Sequence, residues 1–150
     1  MMLVIRKARS ADAEALHDLY FNHLTAYPPK EAQDMNTWRE KLTRFEDNPL
    51  YYLLVGEVNG RVVSSVTLVV IENLTHNLRP YALIENVVTH ADYRGKHFAT
   101  QLMNKASDIA ANMGCYKVML LTGSKRDSTL RFYENCGFNK NDKTGFIKKL

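Results

Sequence analysis

The hydrophobic periodicities of the 150 residues predict an α/β fold: a mixed, mostly antiparallel twisted sheet flanked by helices, in the order β-α-α-β-β-β-α-β-α-β. Three observations carry this expectation. Apolar runs of strand length alternate with amphipathic segments of helical spacing. Asn59-Gly60 joins two such runs, the mark of a two-residue hairpin whose central residues both need positive φ. A strand over 81–89 enters a short polar turn holding Arg94-Gly95-Lys96, and an amphipathic helix follows at once. The strand–helix–strand crossover this creates spans 81–122 and is expected to be right-handed.

Each element has its local reason. Residues 3–8 open as an apolar strand. Ser10 offers an N-cap, and Asp12 and Glu14 fall in the first turn, where the helix dipole favours carboxylates. Ala15, Leu16, Leu19, Tyr20, His23 and Leu24 recur at helical spacing and carry this helix to Thr25, before Tyr27-Pro28-Pro29 breaks it. A second helix is expected over 36–45, with Trp38, Leu42 and Phe45 on one side and Asn48-Pro49 at its end. Strands follow over 51–58 and 61–71, then a polar connection over 72–80. In the helix after the turn, Phe98, Leu102, Ala106, Ile109, Ala110 and Met113 share a face opposite Gln101, Lys105, Asp108 and Asn112, and Gly114 caps its end. A buried strand over 116–122, a short helix over 127–136 closed by Gly137, and a last strand over 144–150 complete the series. No repeat, linker or low-complexity tract divides residues 1–150, which read as one domain.

Composition removes several classes of function. The longest apolar run, 66–71, is far short of the roughly 20 residues that span a bilayer. Arg6, Lys7 and Arg9 precede no signal-like apolar segment, so a reduced cytoplasmic protein without membrane contact is expected. Cys115 and Cys136 follow no metal-ligand spacing, and neither do the five histidines, so no metal is expected. Residues 1–75 hold 8 Lys/Arg against 10 Asp/Glu, whereas residues 76–150 hold 12 against 6. A basic second half fits a polyanionic ligand. Nucleic acid is disfavoured, because the charges are dispersed and no zinc finger, recognition helix or RNA platform is present.

The chemistry concentrates in the turn before the long helix. Unpaired N–H groups of a first helical turn, the helix dipole, Arg94 and Lys96 all aim at one point, and that point suits a diphosphate. The turn reads Tyr93-Arg94-Gly95-Lys96-His97-Phe98-Ala99, and a second motif, Phe132-Tyr133-Glu134-Asn135-Cys136-Gly137-Phe138, follows in the next helix. With both motifs in this element order, the chain resembles the GCN5-related N-acetyltransferase (GNAT) superfamily over essentially its whole length. That family's phosphate loop reads Gln/Arg-x-x-Gly-x-Gly/Ala, matched here by Arg94, His97 and Ala99. Its second signature, Phe-Tyr-Glu-x-x-Gly-Phe, is matched over 132–138. His97 replaces the central glycine of the loop. A histidine is expected to keep its backbone N–H available there, since helix-start angles are open to any L-residue. Its side chain either points away or contacts a phosphate. Arg126 stands where many relatives carry Asn, as a contact to the cofactor or as a solvated helix start.

The resemblance implies a GNAT-like fold, acetyl-CoA as co-substrate, and direct attack by an amine in a ternary complex, without an acyl-enzyme on either cysteine. Its implied acceptor is the primary amine of a small molecule, and an anionic one suits the basic second half. A protein Nα- or Lys-acetyltransferase and a non-catalytic acyl-CoA-binding module are the alternatives. Tyr133 is the implied proton donor to the thiolate, against a purely packing role. Glu85 is the implied base acting through water, against a structural carboxylate. Strand alternation places Glu85, Val87 and Thr89 on one face. The backbone of Val87, Val88 and Thr89 is implied to pair with the pantetheine arm. Arg94, Gly95, Lys96, His97, Phe98, Ala99 and Thr100 form the implied diphosphate loop, with Arg126 and Phe132 beside it. Tyr27 and Trp38 are the implied acceptor-pocket residues, while Phe45 reads as core. Homodimers are common in similar proteins, and one stays open here. Within the family, residues 84–88 are similar to glucosamine-6-phosphate N-acetyltransferases, which typically have Asp where Asn86 stands. The runs 125–133 and 146–150 are similar to aminoalkylphosphonate N-acetyltransferases.

Overall fold

Five strands make one sheet whose spatial order follows the chain: β1 (Val4–Lys7), β2 (Tyr51–Val58), β3 (Arg61–Ile71), β4 (Tyr81–Thr89) and β5 (Val118–Leu120). The first three pairings are antiparallel, and β4 with β5 is parallel. The computed structural model describes residues 1–25, 29 and 31–150. Asn59 and Gly60 turn the β2–β3 hairpin with φ of +49° and +80°, as a two-residue turn requires.

Helices cover both faces of the sheet. On one lie a 3₁₀ turn (Ser10–Asp12), α1 (Ala13–Asp18), a π-helical continuation (Leu19–Leu24) and α2 (Met35–Asp47), packed with Leu53, Val55, Val62 and Val88. On the other lie α3 (Phe98–Asn112) and α4 (Asp127–Asn135), where Leu102, Met103 and Ala106 meet Leu54, Val66 and Ile84, with Phe132 and Tyr133 packed alongside. The period-two alternation of β2 divides Leu53 and Val55 from Leu54. Since both faces are covered, β3 is buried continuously from Val62 to Leu68, and it shows no alternation of apolar and charged residues. Its buried hydroxyls are satisfied: Ser64 donates to Val88 O at 2.9 Å and Ser65 to Leu54 O at 2.8 Å. Gly56 sits where a Cβ would come within 3.0 Å of both Leu3 and Leu102. Its missing side chain lets α3 lie close on β2.

Arg6 supplies an anchor that periodicity does not reveal. Its guanidinium bonds both oxygens of Asp12, at 2.8 and 2.9 Å, and reaches Glu57 at 2.9 Å, tying β1 to the start of the first helix and to β2. Burial pushes Asp12 up, but the bonds from Arg6 and from the Arg9 backbone outweigh it and hold the carboxyl below its ordinary 3.8.

Three expectations are corrected. The first helix does not run on as α-helix to Thr25. From Leu19 it widens to π geometry, and Thr25 N–H bonds Tyr20 O at 2.9 Å. The fifth strand covers Val118–Leu120 rather than 116–122, because only Ala82, Leu83 and Ile84 of β4 lie beside it. Residues 144–150 form no strand: a strand needs a ladder partner, and this segment has none among the described residues. Phe146 and Ile147 are left 88% and 64% exposed. Gly145 touches the tip of Leu121 as the tail passes β5.

Candidate active site

The site begins where β4 leaves β5. Parallel pairing ends at Ile84↔Leu120, and β4 continues to Thr89 with no fifth-strand partner. Just past that point β4 carries a bulge. Ser65 faces Val88 and Thr67 faces Glu85, so Asn86 and Val87 together oppose Val66 alone, and Asn86 takes φ of +53°. The extra residue resets the alternation. Ile84 and Val87 face α3, whereas Val88 faces α1 and α2. The expectation that Glu85, Val87 and Thr89 share a face is therefore overturned: one inserted residue reverses every side chain beyond it. Glu85 and Asn86 are exposed at the bulge.

Beyond the bulge the chain turns through Ala91–Tyr93 and enters α3 at Phe98. A cavity of about 200 Å³ lies there, lined by Thr89, Tyr93, Arg94, Gly95, His97, Phe98, Ala99, Thr100 and Phe132. Eight of these come from the residues expected to bind the cofactor, and Tyr93 is an addition. Two cations flank the Tyr93 ring, Lys96 at 5.4 Å and Arg61 at 5.6 Å from its centre. Of the other expected cofactor residues, Val87, Val88, Lys96 and Arg126 lie outside this lining. Arg126 is the exposed N-cap of α4, its N–H on Ser124 Oγ at 3.3 Å.

His97 departs from the sequence reading. It is the N-cap of α3 with φ of +61° and ψ of +20°, in the left-handed region. The position therefore demands the backbone freedom of glycine, and the angles are not those open to any L-residue. Arg94 also differs from a free phosphate ligand. Its Nε donates to Thr89 O and its Nη2 to His23 O, each at 3.1 Å, so the side chain braces the turn.

Tyr133 projects from α4 onto the α3 side of the sheet, its ring 5.0 Å from Phe132 and 6.5 Å from Phe138. Burial, with Cys136 and Glu85 adding to it, pushes its hydroxyl above the ordinary 10.0. It stays protonated at neutral pH and can donate. Burial likewise raises both Cys115 and Cys136, which disfavours either as a thiolate.

The acceptor side is less simply placed. Tyr27 lies outside the described residues. Trp38 stacks in an aromatic group with His17 at 5.1 Å and with Tyr20 and Phe21 at 6.2 Å, and its Nε1 donates to Gln33 at 3.1 Å. A larger cavity of about 600 Å³ lies on the outer side of α1, lined by Glu14, His17, Phe21, Asn22, Pro29, Glu31, Ala32, Gln33 and Met35. Trp38 is not in this lining, and none of the lining comes from β4, α3 or α4. The smaller cavity is therefore the one at the end of β4 and the start of α3. Sequence reasoning missed Tyr20, whose hydroxyl lies near Ser65 and Thr67 and is pushed by burial up to about 12. Its helical spacing marked it only as core. Also missed was the meeting of Asp18, His23 and His90, whose ligand-type atoms lie within 4.8 Å of one another. Arg61 stands 3.1 Å from His90 Nε2, while the Nδ1 atoms of His23 and His90 accept from Ala91 and Asp92 N–H. Those contacts occupy three of the four ring nitrogens, and His23 Nε2 faces Asp18 Oδ2 at 3.7 Å.

Comparison with known proteins decides what this arrangement belongs to. The sequence model of the acetyltransferase (GNAT) family matches residues 13–138. The chain belongs to that family. A solved structure of a putative acetyltransferase from Agrobacterium tumefaciens is 35% identical, with a TM-score of 0.87 over 98% of this chain and 99% of that one. The GNAT chain is also 28% identical over 141 residues to a glucosamine 6-phosphate N-acetyltransferase of Trypanosoma brucei brucei, covering 94% of this chain and 92% of the relative. The structure of the glucosamine-6-phosphate N-acetyltransferase of Arabidopsis thaliana, 22% identical, shares the fold with a TM-score of 0.80 over 100% of this chain and 99% of that one. This GNAT protein is thus an N-acetyltransferase, and GNAT enzymes use acetyl-CoA. No described helix is long and apolar enough to cross a membrane.

Proposed function

We propose that the protein transfers the acetyl group of acetyl-CoA to the primary amine of a small anionic molecule, by direct attack within a ternary complex. The observation that carries this reading is the bulge at Asn86 placed just past the end of β4–β5 pairing. It sits on the stretch of β4 past Ile84, whose other edge has no β5 partner. Acetyl-CoA supplies an activated thioester and a thiolate leaving group. The turn before α3 and residues 97–100 hold the diphosphate through backbone N–H groups and the helix dipole. The edge of Val87, Val88 and Thr89 that β5 leaves open binds the pantetheine arm like an added strand, and a bulge N–H stabilises the developing oxyanion. Glu85, exposed beside the bulge, takes the amine proton through water. Tyr133 returns a proton to the departing sulfur. The raised Cys115 and Cys136 thiols agree with transfer that uses no acyl-enzyme.

The names of the curated relatives and the basic second half favour an amino sugar phosphate as acceptor. The test is a panel of amines at fixed acetyl-CoA, with CoA release followed by a thiol reagent. Glucosamine 6-phosphate, an aminoalkylphosphonate, the uncharged analogue of each and a lysine peptide make up the panel. Anionic amines are expected to exceed their uncharged analogues at least about tenfold in kcat/KM, a difference of about 1.4 kcal/mol. Faster turnover of the peptide would replace this reading with a protein acetyltransferase.

We propose further that two copies pair by exchanging residues 144–150. The tail exposes Phe146, Ile147 and Leu150, and Met119 of β5 and the following Leu121 are exposed as well. Each copy thus carries both an unpaired segment and an unpaired edge, which suits reciprocal strand addition about a two-fold axis.

A further inference from the structure

The end of the first helical segment and the turn before α3 are joined at one residue. His23 O accepts from Arg94 Nη2 at 3.1 Å, and His23 Nδ1 accepts from Ala91 N–H at 3.2 Å. Its ring lies on that of His90, with centroids 4.0 Å apart. Arg94 in turn grips Thr89 O, the last residue of β4. Two polar contacts and a ring contact therefore fasten the turn to His23 across 67 or more positions of sequence. We propose that His23 is a positioning residue for the diphosphate loop, holding Ala91 and Arg94 in place only while its Nδ1 is free to accept. The proposal rests on reading the cavity at α3 as the CoA diphosphate site.

The chemistry of the ring makes this bond conditional. With Nδ1 as acceptor, the ring hydrogen sits on Nε2, which faces Asp18 Oδ2 at 3.7 Å. A second proton must go to Nδ1, where it would point at the Ala91 N–H and abolish that bond. The groups around the imidazole are Asp18 on α1, and His90, Asp92 and Arg94 on the turn, with Arg61 of β3 behind His90. Burial and His90 lower the pKa of His23 from 6.5, with Arg94 acting the same way and Asp18 and Asp92 opposing. The folded loop thus favours the neutral ring. The fastening is present at neutral pH and is lost as pH falls through the lowered value. Asp18 Oδ2, 3.7 Å from Nε2, partly offsets the added charge.

Two substitutions separate the bond from the titration. Asn at this position can place its Oδ1 where Nδ1 lies and does not titrate, whereas Leu offers no acceptor. Two readouts on the full chain serve: hydrogen exchange at the Ala91 amide in the free protein, and the Kd for CoA by calorimetry at pH 7.5 and 5.5. His23→Leu is expected to speed Ala91 exchange at least tenfold and to raise the Kd at least fivefold at pH 7.5. His23→Asn is expected to keep slow exchange and to remove at least a threefold part of the weakening that wild type shows at pH 5.5. Unchanged Ala91 exchange in His23→Leu would overturn the proposal, as would the same pH dependence of Kd in His23→Asn and wild type. Should His23→Leu fail to fold, the His23→Asn comparison decides. Wild type that binds no CoA at either pH would instead defeat the reading of the cavity, a result that Ala91 exchange keeps separate.

Discussion

His97 shows how much one dihedral angle can decide. Holding an L-residue in the left-handed region costs roughly 1–2 kcal/mol, and His97 sits there at the start of α3. His97→Gly should therefore stabilise the protein by about 1 kcal/mol, after allowing for the larger unfolded-state entropy of glycine. For a chain of this length that amounts to about 2–4 °C in Tm, which a thermal melt without ligand would register; a lower Tm would show that the imidazole makes contacts worth more than the strain. Tyr133 belongs to the same scale. With its hydroxyl raised by burial, it is a donor throughout the neutral range. Tyr133→Phe should lower kcat about a hundredfold while leaving the Kd for CoA within about twofold. An unchanged kcat in thiol-release assays would remove it from the chemistry and return it to packing.

Among the elements, the Arg6–Asp12–Glu57 anchor and the β4 bulge do opposite kinds of work. The anchor secures β1 and the first helix through a carboxylate that is almost fully buried. Removing its charge leaves Arg6 only Glu57, and Asp12→Asn should cost about 2 kcal/mol at pH 7 in urea denaturation. The sign with pH follows from the lowered pKa. The ionised Asp12 stabilises the fold fully above its ordinary 3.8, and that contribution disappears as pH falls through the lower folded value. Stability of Asp12→Asn should thus fall less steeply than wild type below about pH 4, and parallel acid limbs would contradict the assignment. The bulge, by contrast, shifts the register of β4 against β3. It separates Val87 from Val88 across the two faces of the sheet and sets Glu85 and Asn86 at its opening.

For the molecule as a whole, the unpaired tail is the feature that makes a solution prediction. Size-exclusion chromatography with light scattering should give a dimer for the full chain and a monomer once residues 144–150 are removed. Phe146→Asp should shift the same equilibrium toward monomer, since a charge would have to be buried in the exchanged strand. A monomeric full chain at tens of micromolar would end the exchange model without touching the acetyltransferase assignment, which rests on residues 13–138.

The chain order from β1 to α4, the Asn59-Gly60 hairpin and the grouping of residues at the cavity before α3 were legible in the sequence. They depend on local periodicity, turn chemistry and residues adjacent in the chain. The faces of β4 were not legible, because a bulge arises from how β3 and β4 register with each other, and Asn86 carries no local sign of it. The left-handed backbone at His97 was hidden for the same reason: a side chain other than glycine gives no warning that the fold will hold it there. His23 looked like one more position on a helix, and Arg94 like a phosphate ligand. Only packing, which brings the end of the first helix onto the turn before α3, made them partners. The last strand failed for a related cause. Alternation can mark a segment fit to be a strand, but the edge that completes its hydrogen bonds must be supplied by the tertiary structure or by another chain.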